Sequence, residues 1–249
     1  GDANPDLAQE FFYEEYILNH QIHTSSKPYI ALIDRVCMGG GVGLSVHGSF
    51  RVATERTRVG MPETTIGLFP DVGGAWFLSR LPGETGTYLA LTGIPVTVGD
   101  CEKLGISTHV VASENLEEIE AKLHAADLSG DAHAAVKAVL DGYVIEAGEA
   151  PTAGVRSEID HCFSADAVEV IIERLKASGS DFATHALETL SSKSPSSLKV
   201  TLEQIRRGGR ATTFGETMTM EYRMSQHFAR GHDFPEGVRA LLVDKDHKP

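Results

Sequence analysis

The stretch KPYIALIDRVCMGGGVGLSVHGSFRVATERTRVGMPETTIGLFPDVGG, from Lys27 to Gly74, decides how the chain folds. Its opening, Tyr29 to Ile33, is a short apolar run behind Pro28 and reads as a buried strand. Glycines at 39, 40, 41 and 43 then form a turn that opens a short helix from about Val42 to His47. Phe50 to Glu55 reads as the next strand, and Arg58 to Gly60 is strand-like. Strand, glycine-rich turn, helix and strand in that order predict an α/β core.

On the N-terminal side, Gly1 to Asn4 reads as the end of a loop. Pro5 to Ile22 is a helix candidate with Leu7, Phe11, Leu18 and Ile22 on one stripe. On the C-terminal side, Val72 to Arg80, Gly86 to Leu91 and Gly99 to Leu104 are expected as short helices, and His109 to Val111 as a last strand. Helical stripes then recur: Val168, Ile171, Ile172 and Leu175; Phe182, Ala186 and Leu190; Leu198, Leu202 and Ile205. Ser194 before Pro195 is a helix-start signal. Glu146 to Val155, rich in Gly, Ala and Pro, is the candidate linker. The expected division is an α/β core with active-site loops over residues 1–112 and a helical region over 113–249.

The 249 residues carry 41% hydrophobic and 23% charged side chains, enough for a sizeable core. A net charge of −13, with only 22 Lys and Arg, argues against nucleic acid as a partner. Cys37, Cys101 and Cys162 are widely spaced and form no CxxC pair, so neither a zinc site nor a disulfide framework is expected, and a reducing, intracellular compartment fits. No apolar run reaches the ~20 residues of a membrane span. No signal-peptide pattern stands at the start. The histidines form no HExxH and no metal-like cluster, so no metal is expected.

The glycine turn suits an anion, or a carbonyl oxygen that becomes one, because backbone N–H groups at a helix start are unpaired donors. A turn with no ligand is the competing reading. No G-x-G-x-x-G fits over it, and Gly43-Leu44-Ser45-Val46-His47 has His where a serine-hydrolase elbow needs Gly. Three acids compete for chemical roles. Glu63 follows Pro62 in an extended or turn segment and is either a solvated loop acid or a reacting group. Asp71 precedes the expected Val72 helix and is either its N-cap or a catalytic acid. Glu15 falls on the stripe of the first helix, where an acid is costly unless paired, used or able to reach water.

These pieces in this order resemble the crotonase (enoyl-CoA hydratase/isomerase) superfamily. Lys27 to Gly74 is similar to its core block, and LALTGIPVTVGDCEKLGISTHVV (Leu89 to Val111) to the helical segment after it. FFYEEYILN, MPETTIGLFPDVGG, TMEYRMSQ and RGHDFPEGVRALLVDKD resemble most closely the branch that hydrolyses 3-hydroxyisobutyryl-CoA in valine breakdown. The likeness spans nearly the whole chain. It implies a ββα spiral core followed by a helical C-terminal region, with early strands and a second oxyanion N–H expected upstream of Gly1.

By the resemblance, Gly40 offers a backbone N–H to the thioester oxygen with Gly39 beside it in the substrate site, Glu63 and Asp71 flank the reacting carbon, and Glu15 contacts the substrate. Hydratases of the superfamily carry a Glu where this chain has Gly43, and a Gly where it has Asp71. One acid is lost and another gained, which favours thioester hydrolysis over addition of water to a double bond. An enoyl-CoA hydratase or isomerase, and a non-catalytic acyl-CoA-binding protein, are the alternatives. The implied partner is an acyl-CoA, with coenzyme A as part of the substrate and no separate cofactor. A homo-oligomer is compatible with all of this, and the compartment implied is bacterial cytoplasm or mitochondrial matrix.

Overall fold

The computed structural model describes residues 5–249; the loop end expected over residues 1–4 lies outside the described residues. Helix α1 (Pro5–Thr24) leads into β1 (Ile30–Ile33) and β2 (Val36–Met38), and the glycine turn opens α2 (Gly40–Ser45). There follow β3 (Phe50–Thr54), β4 (Arg58–Gly60), a 3₁₀ turn (Glu63–Ile66), α3 (Gly74–Leu78), α4 (Thr85–Thr92), β5 (Val96–Thr97), α5 (Val98–Lys103) and β6 (His109–Val111). The rest is helical: α6 (Leu116–Ala125), α7 (Ala132–Asp141), α8 (Pro151–Gly154), α9 (Arg156–Phe163), α10 (Val168–Ser178), α11 (Asp181–Ser191), α12 (Pro195–Gly208), α13 (Phe214–Phe228) and α14 (Asp233–Val238). This is the expected α/β class, rich in helices.

The strands form two three-stranded sheets. One, ordered β1-β3-β6, is parallel throughout; the other, ordered β2-β4-β5, pairs β2 parallel and β5 antiparallel to β4. The register of the second sheet matters most, because Met38 lies opposite Gly60. Both chains leave the sheet at that level, so the glycine turn and the Pro62–Glu63 segment emerge side by side. Sequence reading ran β2 into the turn, since three residues are too few to show an alternation.

Two expected elements shift. The helix after Asp71 begins at Gly74 rather than Val72, because Val72 (φ 49°) and Gly73 (φ 84°) are both left-handed and cannot enter a right-handed helix. In α1 the stripe is turned by one residue: the buried face is Phe12, Tyr16, Asn19 and Ile22, while Leu7, Phe11 and Leu18 are exposed. Successive residues are ~100° apart on a helix, so a one-residue slip exchanges inside for outside. The C-terminal stripes hold, with Val168, Ile171, Leu175, Ala186, Leu190, Leu198, Leu202 and Ile205 all buried. Ser194 caps α12 by accepting the Ser197 N–H at 3.1 Å.

Helix α12 packs on α3 and α4, and α13 lies along α1 and against α3. The segment expected as a linker is bonded to the α/β part: the Thr152 N–H donates to Asp100 Oδ1 at 3.0 Å and its hydroxyl to the same oxygen at 2.6 Å.

The rotated stripe has a direct consequence for stability. Phe12 is 4% exposed and Phe11 57%. Phe12→Ala is expected to cost about 3–5 kcal/mol, as buried Phe truncations do. Phe11→Ala should stay within about 0.5 kcal/mol of the parent, as a surface change does. Urea unfolding of the two variants checks the assignment, and equal losses would restore the original stripe.

Candidate active site

The glycine turn is the floor of the site. Gly39 has φ 53°, a conformation that favours glycine, and a Cβ there would lie 3.2 Å from Glu63 Oε1. A Cβ on Gly40 would lie 3.0 Å from Glu15 Oε1. Glu63, from the 3₁₀ turn, and Glu15, from α1, therefore converge on the two glycines that sequence reading assigned to substrate binding. Glu63 is buried, and its Oε2 finds no hydrogen-bond partner among the described residues. Glu15 is half-buried and flanks the buried face of α1 rather than lying on it.

Asp71 is buried too, and Tyr16 donates its hydroxyl to Oδ2 at 3.0 Å. The N-cap reading of Asp71 fails: the N-cap of α3 is Gly73, and no side chain of its own segment caps it. The capping is supplied from α13 instead. Glu221, fully buried, accepts the Gly73 N–H on Oε2 at 2.7 Å and the Ala75 N–H on Oε1 at 2.9 Å. Gln204 of α12 donates its amide to the Pro70 carbonyl at 2.7 Å and to Glu221 Oε1 at 3.2 Å.

Position 43 is closed. A Cβ there would stand 2.5 Å from Val72 Cβ and 3.0 Å from Asn19 Nδ2, so a side chain at 43 has no room while Val72 keeps its place. Val72 sits there because its backbone is left-handed, a conformation that costs a β-branched residue ~1–3 kcal/mol. The Val72 carbonyl accepts a hydrogen bond at 2.7 Å from Nε2 of buried His47, which fixes the proton of that ring on Nε2. Burial lowers the His47 pKa to about 4, so the ring is neutral at neutral pH.

The electrostatics follow from this geometry. Burial first, then the charge of Asp71, holds the Glu63 carboxyl well above the usual carboxylate range. Burial raises Asp71 to about 7, Glu15 adds to the rise, and the Tyr16 hydrogen bond opposes it. Burial raises Glu221 to about 8 against its backbone donors. Burial also raises Glu15. Glu63 and Asp71 titrate as a pair, and like charges in a dry site shed their protons one at a time. Tyr16 stabilises charge on Asp71, whereas Glu63 has no side-chain donor, so as pH rises Asp71 gives up its proton first, near neutral pH, and Glu63 keeps its proton longer.

The structure thus brings together Glu15, Gly39, Gly40, Glu63 and Asp71. It adds Tyr16, His47, Gln204 and Glu221, which sequence reading missed. Glu221 was within reach of the reasoning applied to Glu15: it is an acid on the buried stripe Phe214, Met218, Glu221 and Ser225. The three cysteines are buried and unbridged, and Cys37 lies 3.3 Å from Ser45 Oγ with its thiol pKa raised by burial, the setting of a structural thiol. Among the described residues no cluster of three His, Cys, Asp or Glu is arranged to hold a metal ion, and no helix is long and apolar enough to cross a membrane.

A glycine turn with an acid pair over it, set between two small sheets, defines a class of site suited to acid–base chemistry at a carbonyl group. The chain belongs to the enoyl-CoA hydratase/isomerase family, whose model matches residues 1–249. It is 51% identical over 253 residues to the mitochondrial 3-hydroxyisobutyryl-CoA hydrolase of Xenopus laevis, covering 100% of this chain and 65% of the relative. Against the mitochondrial 3-hydroxyisobutyryl-CoA hydrolase of Homo sapiens it is 49% identical over 252 residues, covering 99% of this chain and 64% of the relative. The chain therefore spans just under two thirds of the length of these curated relatives. Among solved structures, a carnitinyl-CoA dehydratase from Mycobacterium thermoresistibile superposes with a TM-score of 0.90 at 38% identity, covering 97% of this chain and 69% of that one. An enoyl-CoA hydratase from Rhodobacter sphaeroides 2.4.1 gives 0.89 at 34% identity, covering 99% and 69%. The fold is therefore crotonase-like.

The raised carboxyls make stability depend on pH with a definite sign. Asp71 moves from 3.8 to about 7 on folding, so between those values the folded chain holds the proton that the unfolded chain has lost. Stability is fully present below about pH 4 for this group and is lost as pH rises through 7, at about 1.4 kcal/mol for each pH unit and proton. Glu63 and Glu221 act in the same direction. The melting temperature should therefore fall from pH 5 to pH 8, and Asp71→Asn should flatten that fall and melt above the parent at pH 8. A melting temperature that rises over this range would contradict the burial of an unneutralised carboxylate.

Proposed function

We propose that the protein hydrolyses the CoA thioester of a short branched 3-hydroxy acid, 3-hydroxyisobutyryl-CoA, to the free acid and CoA. The observation that carries this reading is the acid pair Glu63–Asp71 over the Gly39–Gly40 turn, combined with the closure of position 43 by Val72 and Asn19. A second carboxylate beside the turn, where hydratases of the family hold one, has no space here. The names of the relatives that are about half identical support the same substrate.

The chemistry follows from the order in which the pair gives up its protons. The thioester oxygen lies at the Gly40 N–H, where a Cβ would intrude and where each donor to a forming oxyanion contributes on the order of 3 kcal/mol. Asp71 takes a proton from water, and the water oxygen bonds to the acyl carbon as the C=O electrons move onto oxygen. When that oxyanion collapses, the C–S bond breaks and the sulfur receives the proton held by Glu63. The site then has its proton on Asp71, and its return to Glu63 resets the pair. Positioned acid–base groups of this kind contribute roughly 10²–10⁴ in rate. Glu15, half-buried beside Gly40, accepts a hydrogen bond from the 3-hydroxyl of the acyl group and so selects a hydroxylated acid.

Direct attack by Glu63, giving an acyl anhydride, first requires its proton to pass to Asp71. Coenzyme A is part of the substrate, and no separate cofactor enters. The compartment is the mitochondrial matrix, in line with the names of the relatives, or a bacterial cytoplasm.

Two measurements test this. Thiol release from a panel of acyl-CoA thioesters should be fastest with 3-hydroxyisobutyryl-CoA, and Asp71→Asn and Glu63→Gln should each lower kcat by ~10²-fold or more, with the double variant losing far less than the product. Hydration of an enoyl-CoA without thiol release would replace the hydrolase by a hydratase. In a single turnover in ¹⁸O-water, the acid formed should carry the label; an unlabelled acid with label in a protein carboxylate would transfer the attack to Glu63 or Asp71 itself.

A further inference from the structure

The motif TMEYRMSQ, Thr219 to Gln226, has no part in the chemistry above, yet it places the only fully buried acid of the described residues at the site. We infer that Glu221 is a positioning residue: through its carboxylate and Gln204 it holds the segment Pro70–Ala75 so that Asp71 faces the glycine turn. This rests on the proposed role of Asp71.

Four backbone groups of that segment are tied by side chains from elsewhere in the chain. Gln204 holds the Pro70 carbonyl, His47 the Val72 carbonyl, and Glu221 the N–H groups of Gly73 and Ala75. The ties fall on both sides of Asp71. They are needed because the backbone between them is left-handed at two successive residues, one of them a valine, and such a conformation persists only when its surroundings over-determine it. Helix α3 is only five residues long and lacks a cap of its own, so it cannot hold the segment by itself.

Glu221 is fitted for this and for little else. Three N–H donors point at its two oxygens and no cation pairs with it among the described residues, so these contacts favour its ionised form and oppose the burial that raises its pKa. An amide at this position offers one acceptor oxygen instead of two and turns an NH₂ group toward an N–H. One of the two backbone donors then loses its partner in a dry interior, which is costlier than never having had one. The Asp71 carboxyl hangs between those donors and the Tyr16 hydroxyl, so a shift of the segment misplaces it, and misplacements of about 1 Å cost roughly 10²-fold in rate. Substrate binding, which falls to the glycine turn and Glu15, is untouched.

Hydrogen exchange and kinetics on the same samples test this. Glu221→Gln should speed amide exchange at Gly73 and Ala75 by ~10-fold or more while the amides of α13 keep their protection. It should lower kcat for thiol release by ~10-fold or more with KM within ~3-fold, the mark of lost orientation rather than lost binding. Parental exchange at those two amides, or parental kcat in the folded variant, overturns the assignment. Should Glu221→Gln fail to fold, Gln204→Met cuts the Pro70 tie and one donor to Glu221 while leaving the two backbone donors in place, and should lower kcat by ~3-fold or more at constant KM, an unchanged kcat again overturning the assignment. Should the parent release no thiol from any acyl-CoA, the hydrolase reading fails, and the exchange at Gly73 and Ala75 still decides the role of Glu221.

Discussion

Carboxyl groups buried together without a cation set the terms for the whole site. Glu63, Asp71 and Glu221 are each at most 5% exposed, and no Lys, Arg or His among the described residues forms an ion pair with any of them. Elsewhere the chain pairs its acids in the usual way, as Arg206 does with Glu84 at 2.8 Å. An Arg beside Asp71 would have pinned its charge permanently, since a guanidinium does not deprotonate. Neutral donors do something different. Tyr16 and a backbone hydrogen bond favour the charged form, but burial and the Glu15 charge outweigh them, which leaves Asp71 able to change charge near neutral pH. A group that must take and return a proton at each turnover needs that balance.

The same constraint explains why the loop is strained and so heavily tied. Asp71 faces the turn only because Val72 and Gly73 are left-handed, and the Val72 side chain then occupies the space above Gly43. Loss of an acid at 43 and gain of one at 71 are thus one geometric event rather than two substitutions. Left-handed valine costs ~1–3 kcal/mol, and buried hydrogen bonds of about 1 kcal/mol each from His47, Gln204 and Glu221 offset it. Their donors and acceptors come from just past the end of α2 and from α12 and α13, so the loop is ordered only when the helical half of the chain is folded against the α/β half.

This explains what sequence could and could not show. The strand, turn and helix order was legible because glycine density and short apolar runs are local signals, and the glycine turn was read from them; the roles of Glu63 and Asp71 rested on the resemblance, since on its own residues Asp71 reads as a cap at least as readily. Glu15 was singled out for the wrong reason, as a member of a stripe that is really turned by one residue, although its place beside Gly40 is real. Val72 concealed the true helix start, because nothing in its type signals a positive φ. Tyr16, Gln204 and Glu221 were missed because their partners lie 55 to 148 positions away. Such contacts leave only an indirect trace, a polar residue on a buried helical face, which is visible once the face is correctly placed.

Helix α1 carries both Tyr16, which touches Asp71, and Glu15, which touches the glycine turn, and this links selection of substrate to the charge of the site. The charge of Glu15 raises the Asp71 pKa, while the Tyr16 hydroxyl lowers it. On the proposed reading, the 3-hydroxyl of the acyl group donates to Glu15 and disperses its negative charge. Asp71 then feels less repulsion, its pKa falls, and it holds the ionised form more firmly at the moment water must be deprotonated. An acyl group without the hydroxyl reaches the same turn but leaves Glu15 unsatisfied beside it and Asp71 more readily protonated. Discrimination between the two therefore arises in the rate step as well as in binding, because the contact that recognises the hydroxyl also tunes the base.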